Sequence, residues 1–319
     1  MTIHVLYCNV VPPDLFELVR QAAPPGWQVD MYPAQADQRG SSQARADYLV
    51  VAAEPVDAAL LDATPRVKMV QHQGVGYDKV DVAELNRRAI PFALTPEGTT
   101  EGVAEHVFAL LLCLNKHMAE AEASLGQGQW LQWELRTRSY EVAEKTFGLI
   151  GYGRIGQAVA KRAVAFDAHC LYYDPWLPAG FSHPDADRVD TLEELLRRSD
   201  VVSLHAPATA ETKHLIGASE IAAMKPDAVL INTARGSLID EAALLAALTA
   251  GRIRGAGLDV FEQEPLPPDS PWRRGLERAV VVPHIAAGTR DAYSKKMRAI
   301  FANLERHSRG QAVLNTVTA

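Results

Sequence analysis

The stretch Thr146-Phe-Gly-Leu-Ile-Gly151-Tyr152-Gly153-Arg154-Ile155-Gly156 limits what this chain can fold into more than any other, because of the segments on either side of its glycines. The apolar run before Gly151 reads as a buried strand. A glycine turn with G-x-G-x-x-G spacing comes next, and residues 157–166 carry Ala, Val and Lys in a helical rhythm. A second apolar run, Cys170-Leu-Tyr-Tyr173, ends in Asp174, 18 residues beyond Gly156. Strand, glycine turn, helix, strand and acid, in that order, make a dinucleotide-binding unit. Gly151 permits the tight turn, Gly153 lets the backbone approach a pyrophosphate, and Gly156 lets the helix pack on the strand. The helix N-terminus then offers N–H groups and a positive dipole end to the phosphates. Asp174 can accept from both ribose hydroxyls of the adenosine and would repel a 2′-phosphate. Pro175 and Trp176 come after it, rather than an Arg or Ser suited to phosphate, so NAD is favoured over NADP. The competing reading makes Asp174 a loop cap.

The rest of the chain repeats this rhythm. Strand-like runs at 3–8, 48–52, 67–72 and 90–94 alternate with helical stretches at 13–22, 56–62 and 81–88. Residues 99–116 read as a long apolar helix, with Thr99 or Thr100 able to cap it and Glu101 in its first turn. Downstream, strands at 201–204, 228–232, 255–258 and 280–282 alternate with helices at 218–224 and 241–250, and a helix over 288–308 closes the chain. Alternation of this kind argues for parallel sheets wrapped by helices.

Composition narrows the function classes. With 319 residues, 48% apolar and 22% charged, the chain suits two globular domains. A net charge of −7 sets aside nucleic acid or an anionic membrane as the main partner. No run of about 18 apolar residues offers a membrane span. The start lacks the basic and apolar regions of a signal peptide, so a cytoplasmic protein is expected. Cys8, Cys113 and Cys170 are odd in number and widely spaced, which fits reduced thiols better than disulfides or a metal site. No cluster has metal-ligand spacing, and no metal is expected. The loop over residues 126–133 carries Trp130 and Trp133, which either a subunit contact or intramolecular packing would cover.

Three later strand ends put polar groups on the side of the glycine loop, the carboxyl edge where ligands sit in doubly wound sheets. Ile231-Asn-Thr-Ala-Arg235-Gly236 sets an Arg just beyond a buried strand, able to fork onto a carboxylate. A solvated surface Arg is the plain alternative. In Gly257-Leu-Asp259-Val-Phe261-Glu-Gln-Glu264-Pro265, Asp259 can accept from a carboxamide and Glu264 can reach a neighbouring imidazole, unless this is an acidic surface loop. Val281-Val-Pro283-His284 places a His at a sheet edge. Alone such a His is more often structural; what gives it weight is an Arg, a Glu and a His at adjacent strand ends beside a nicotinamide site.

Taken with Gly74-Val75-Gly76-Tyr-Asp78, Val103-Ala-Glu-His106 and Leu204-His205-Ala-Pro207, these strings resemble the D-isomer-specific 2-hydroxyacid dehydrogenases. That family includes D-lactate, D-glycerate (glyoxylate/hydroxypyruvate reductase) and D-3-phosphoglycerate dehydrogenases. The likeness is strong from about Val67 to Arg290 and weaker before it. It implies two Rossmann-like α/β domains with mainly parallel sheets and an active-site cleft between them. Residues 1–97 with 289–319 would form the substrate domain, and 98–288 the NAD domain. The implied reaction interconverts a small 2-oxo acid and the D-2-hydroxy acid with NAD. Arg235 is similar to the substrate-orienting arginine, Glu264 to the acid that partners the histidine, and His284 to the general acid/base. Gly74, Val75 and Gly76 resemble the loop whose N–H groups hold the substrate carboxylate. Asp259 is similar to the residue that anchors the nicotinamide carboxamide, and Thr100, His205, Pro207 and Thr233 resemble further cofactor contacts. A homodimer built around the cofactor domains is also implied.

The chemistry suits these residue types. Reduction builds negative charge on a carbonyl oxygen, which a protonated imidazole can neutralise by giving up its proton. An Arg that neutralises the substrate carboxylate fixes the geometry. Some departures narrow the substrate. Phosphoglycerate enzymes resemble Gly-Arg-Ala-Gly where this chain has Gln71-His72-Gln73-Gly74, and no regulatory domain is expected after residue 319. Both points argue against 3-phosphoglycerate. Glu264 argues against formate, because formate dehydrogenases carry Gln there. Phosphite stays open. An NAD(H)-sensing corepressor is the reading from another class, disfavoured because the sequence shows no added tail or linker for partners.

Overall fold

A computed structural model describes residues 2–317. They fall into two compact units: one takes the chain up to Thr99 and from Thr289 onward, the other Thr100–Gly288. In the first unit, strands β1 (His4–Tyr7), β2 (Gln28–Met31), β3 (Tyr48–Val51), β4 (Met69–His72) and β5 (Phe92–Ala93) alternate with helices α1 (Pro13–Ala22), α2 (Gly40–Arg45), α3 (Ala58–Ala63) and α4 (Val82–Arg87). The strands form one parallel sheet in the order β2-β1-β3-β4-β5, a doubly wound arrangement. Period-two alternation splits the strands between two cores. Val5 and Tyr7 pack with Val19 of α1, while Leu6 and Cys8 face Leu60 and Leu61 of α3. Asp57 and Asp81 start α3 and α4 by accepting from Leu60 and Glu84 N–H, as short acids before apolar helices should.

The second unit opens with α5 (Thr100–Asn115) and α6 (Met118–Gly126). Then come β6 (Thr146–Ile150), α7 (Arg154–Ala165), β7 (His169–Tyr173), β8 (Asp187–Arg188), α8 (Leu192–Arg198), β9 (Val201–Leu204) and α9 (Ala218–Ala223). β10 (Val229–Asn232), α10 (Glu241–Thr249), β11 (Gly255–Leu258) and β12 (Ala279–Val281) complete it. All seven strands are parallel, in the order β12-β11-β10-β9-β6-β7-β8. The winding reverses between β6 and β9, and that switch point is where such sheets bind ligands. Val107 and Leu111 of α5 and Val159 and Ala163 of α7 cover one face, against Phe147, Leu149 and Ile231. Leu195, Ile221 and Leu244 of α8–α10 cover the other, against Ile150, Leu204 and Leu230. The chain then returns to the first unit as α11 (Arg290–Ser308), whose Met297, Ile300 and Phe301 join the α1 side of that core.

Several sequence expectations shift. Thr99 lies just before α5, but its buried Oγ1 has no hydrogen-bond partner, so of the two candidate caps Thr99 makes no hydroxyl cap. α11 starts at Arg290, with Thr289 accepting from Ala292 N–H, two residues after the expected start at Gly288. β2, α2, α6, β8 and α8 were not legible as elements. β2 is an edge strand with polar Gln28 and Asp30, directly after a Pro-Pro-Gly turn. No helix among the described residues is long and apolar enough to cross a membrane.

Candidate active site

The glycine loop leaves β6 at the switch point. Gly151 sits at φ +88°, and a Cβ there would lie 2.7 Å from His205 C, so only glycine lets this turn pass beneath the end of β9. A Cβ on Gly156 would lie 2.5 Å from Gly151 O. A Cβ on Gly153 would meet nothing within 4 Å, which leaves open space over the start of α7. No side chain caps α7. Its first N–H groups, at Arg154 and Ile155, are therefore offered to an anion. Two buried polar atoms on neighbouring strand ends lack partners: His205 Nε2 after β9 and Thr233 Oγ1 after β10. Burial pushes the His205 imidazole down to about 3, so it is neutral near pH 7. An open glycine cradle with orphaned polar atoms beside it fits a dinucleotide.

The cradle also shows which expected contacts are already committed. Asp174 ends β7, with Oδ2 accepting from Tyr152 N–H at 2.8 Å and Oδ1 from Trp176 N–H at 3.0 Å. It thus caps its loop and lines the cradle at once, with lone pairs left for ribose hydroxyls. The Tyr152 side chain points away, stacked on Tyr172 at 4.2 Å and bonded to His183. Tyr152 can offer the cofactor backbone alone, and its N–H belongs to Asp174. Thr100 is half-buried at the start of α5, and Pro207 is exposed, its carbonyl accepting from Thr212.

The strand order sets the ends of β10, β11 and β12 side by side. Arg235 follows β10 in extended backbone, on a turn held by Asn232, whose amide donates to Arg235 O and accepts from Ala234 N–H. Gly236 then passes so close to the β11 loop that a Cβ would lie 1.9 Å from Phe261 C. Glu264 Oε1 accepts from Phe261 N–H at 2.9 Å, and its Oε2 meets His284 Nδ1 at 2.7 Å. Burial alone would raise the Glu264 carboxyl. The bonds from His284 and Phe261, with the charges of His284 and Arg235, outweigh burial and hold it below the usual range.

His284 has φ +53°, a left-handed conformation that costs a non-glycine residue about 1–3 kcal/mol unless its surroundings impose it. Asp259 imposes it. The Asp259 carbonyl accepts from His284 N–H at 2.8 Å, while its carboxylate accepts from Ile285 N–H at 2.6 Å and Ala286 N–H at 2.9 Å. Asp259 has no exposed surface, and both its oxygens are engaged. In this geometry it anchors the His284 turn. Burial raises its carboxyl, against the N–H bonds of Ala286 and Ile285 and the charges of His106 and His284.

In the first unit, residues 74–76 come after β4. His72 Nε2 bonds Ala52 O at 3.1 Å and its Nδ1 takes Gly74 N–H at 3.0 Å. A carbonyl only accepts and an N–H only donates, so in this arrangement Nε2 donates and Nδ1 accepts. The Gly74 N–H is therefore spent, and an anion would be left with the donors of Val75 and Gly76. Sequence reasoning assigned nothing to Asn232 and quoted His106 only within a motif. Spacing signals no role for either: Asn232 holds the Arg235 turn only once the chain is folded, and His106 comes to lie 3.6 Å from Asp259. Among the described residues no group of three or more His, Cys, Asp or Glu could hold a metal.

An anion cradle and a carboxylate-held imidazole at strand ends of one parallel sheet suit hydride transfer to a carbonyl. Comparison with known proteins agrees. The family described as D-isomer specific 2-hydroxyacid dehydrogenase, NAD binding domain, matches residues 108–286. A glyoxylate reductase of Korarchaeum cryptofilum is 41% identical over 266 residues, 83% of this chain and 80% of that protein. A D-3-phosphoglycerate dehydrogenase of Methanocaldococcus jannaschii is 38% identical over 274 residues, 85% of this chain but 52% of that protein. The structure of an NADPH-dependent glyoxylate/hydroxypyruvate reductase of Sinorhizobium meliloti, in complex with NADP and malonate, matches with a TM-score of 0.85 at 30% identity, covering 100% of this chain and 97% of that one. The chain belongs to the D-isomer specific 2-hydroxyacid dehydrogenase family: it is an NAD(P)-dependent oxidoreductase acting between 2-oxo and 2-hydroxy acids.

Proposed function

We propose that this chain reduces a small 2-oxo acid of the glyoxylate or hydroxypyruvate type to the D-2-hydroxy acid, with His284 as proton donor, Glu264 as its partner and Arg235 as carboxylate ligand. The observation that carries this reading is the 2.7 Å contact between His284 Nδ1 and Glu264 Oε2. It ties one ring nitrogen to a carboxylate and leaves Nε2 for the substrate, on a side chain that stays exposed. NAD(P)H, when bound, supplies the hydride. His284 Nε2 gives its proton to the oxygen as charge builds there, and in the reverse direction takes it back. Glu264 fixes the ring and faces its positive charge. Arg235 offers a planar fork to the substrate carboxylate.

Further parts of the reading rest on single features. Residues 1–97 with 289–319 are read as the substrate domain and 98–288 as the NAD domain. Val75 and Gly76 are the N–H donors proposed for an anion. His72 stands where phosphoglycerate enzymes resemble an Arg, and with both ring nitrogens bonded to backbone it lacks the fork an Arg would offer a phosphate. For NAD over NADP the support is Asp174, a charge pinned at the cradle by two N–H bonds. Arg188, which donates to Asp174 O, is also committed to the carbonyls of Leu177 and Pro178 and is poorly placed to turn toward a 2′-phosphate. Trp130 and Trp133 are 73% and 65% exposed, and a two-fold homodimer covering them is proposed. Light scattering that gives a monomer mass at micromolar concentration would reject the dimer. The three free thiols fit a cytoplasmic protein. Initial rates with NADH across glyoxylate, hydroxypyruvate, pyruvate, 3-phosphohydroxypyruvate and (with NAD) phosphite test the substrate. Turnover confined to the last two would refute the reading.

A further inference from the structure

We propose that His106 is a positioning residue for His284, acting through Asp259: its Nε2–H closes onto Asp259 Oδ1 and keeps that carboxylate anchored under the His284 turn. The inference rests on the acid–base reading of His284. His106 lies on α5, the helix that packs against β10, β11 and β12. Its Nε2 is buried and has no hydrogen-bond partner. A buried donor left in this way is costly, so it should have a partner in the working enzyme. The acceptor in front of it is Asp259 Oδ1, at 3.6 Å, just beyond bonding distance.

Asp259 needs such a donor. Its side chain is fully buried, and a buried carboxylate is tolerated only when hydrogen-bonded and charge-balanced. Two N–H groups, from Ile285 and Ala286, already hold it. The charged or titratable groups that act on it are His106, from α5, and His284, from the turn itself. The His284 Nδ1 is already taken by Glu264, whereas the His106 Nε2 facing Asp259 has no other partner. The turn in question is the one that holds His284 at φ +53°. Losing the third donor would let Asp259 rotate or take up a proton, loosen the N–H bonds of 285 and 286, and let the imidazole leave its aim. His106 touches neither substrate nor reacting atoms in this scheme. It acts entirely through the turn.

The test uses the full-length enzyme and compares His106→Phe, which keeps the ring shape but removes the donor, with His106→Gln, which keeps a donor of similar reach. Melting temperatures check folding, and His106→Leu serves as a second apolar replacement should the Phe ring pack badly. Each substitution is also placed in a His284→Ala background. With glyoxylate or hydroxypyruvate and NADH, His106→Phe should lower kcat by about tenfold or more, the weight of one hydrogen bond to a charged group. KM and NADH affinity should move little, and His106→Gln should restore most of the loss. In the His284→Ala background the same substitution should cost almost nothing further, because the group it aims is gone. Unchanged kcat in His106→Phe overturns the inference. So does a Gln variant as impaired as Phe, or a loss that persists in full without His284. If His284→Ala alone keeps wild-type turnover, the acid–base reading itself falls and this inference with it.

Discussion

Gly236→Ala is the perturbation whose cost the structure sets most tightly. A Cβ at this position would lie 1.9 Å from Phe261 C, 2.2 Å from Phe261 O and 2.3 Å from Glu262 N. These are backbone atoms, so no rotamer relieves the overlap. Ordinary contact begins at 3.4 Å, so with 1.9 Å available the Phe261 segment must retreat by about 1.5 Å (3.4 less 1.9). The same segment carries the N–H that holds Glu264, and Gly236 itself follows Arg235. A misplacement of about 1 Å at a reacting group costs roughly 100-fold in rate, so kcat should fall by at least that factor. Overpacking of this kind costs about 1–3 kcal/mol, enough to lower the melting temperature by several degrees. Steady-state kinetics with hydroxypyruvate, NADH titration by fluorescence and thermal melting would read all three quantities. NADH affinity should be nearly unchanged, because the glycine cradle is a different loop. Gly153→Ala should behave in the opposite way. Its Cβ has no neighbour within 4 Å, so the protein should melt with wild type. The added methyl stands where a pyrophosphate approaches, so NADH should bind more weakly. A Gly236→Ala enzyme with wild-type turnover and melting would refute the close packing of the β10 and β11 loops.

Three other outcomes are expected. Asp174→Ala should narrow the preference for NADH over NADPH, because it removes both the ribose acceptor and the repulsion of a 2′-phosphate; equal efficiency with both cofactors in the wild type would show that Asp174 is a loop cap only. Arg235→Lys keeps the charge but loses the fork, so KM for 2-oxo acids should rise and kcat fall, lowering kcat/KM by about 10- to 100-fold; wild-type kinetics would return Arg235 to the surface. Glu264 is held below the usual carboxyl range, so its contribution to stability is fully present above the unfolded value of about 4.3 and is lost as pH falls through the lower folded value. The difference in melting temperature between wild type and Glu264→Gln should therefore shrink in acid, and a difference independent of pH would mean that the carboxyl is not held low.

How much of this was legible in the sequence depends on whether a residue acts locally or through the fold. Gly151, Gly153, Gly156 and Asp174 are read from one continuous strand-turn-helix-strand unit, and their tasks stem from short-range geometry. Arg235, Glu264 and His284 lie far apart in sequence. They could be grouped because each comes after an apolar strand, and parallel sheets put such ends on one edge. What spacing cannot show is prior commitment. The Gly74 N–H is taken by His72, the Tyr152 N–H by Asp174, and both Asp259 oxygens by the His284 turn. Each depends on side-chain direction, which the alternation of apolar residues does not encode. Elements were missed where burial was one-sided or absent. α8 is started by Thr191, which accepts from Glu194 N–H, and is laced by Arg197–Glu193 and Arg198–Glu194 pairs. Its outward face reads as a polar loop.

The most direct test of the central claim is the single-turnover rate of NADH oxidation on mixing the enzyme–NADH complex with excess glyoxylate or hydroxypyruvate, in wild type and in His284→Ala. If His284 donates the proton, the variant should bind NADH as wild type does and turn over about 100- to 10,000-fold more slowly, the usual worth of a placed general acid. A variant that oxidises NADH at the wild-type rate would contradict the claim, and the 2.7 Å His284–Glu264 pair would then be a structural ion pair at the end of β12.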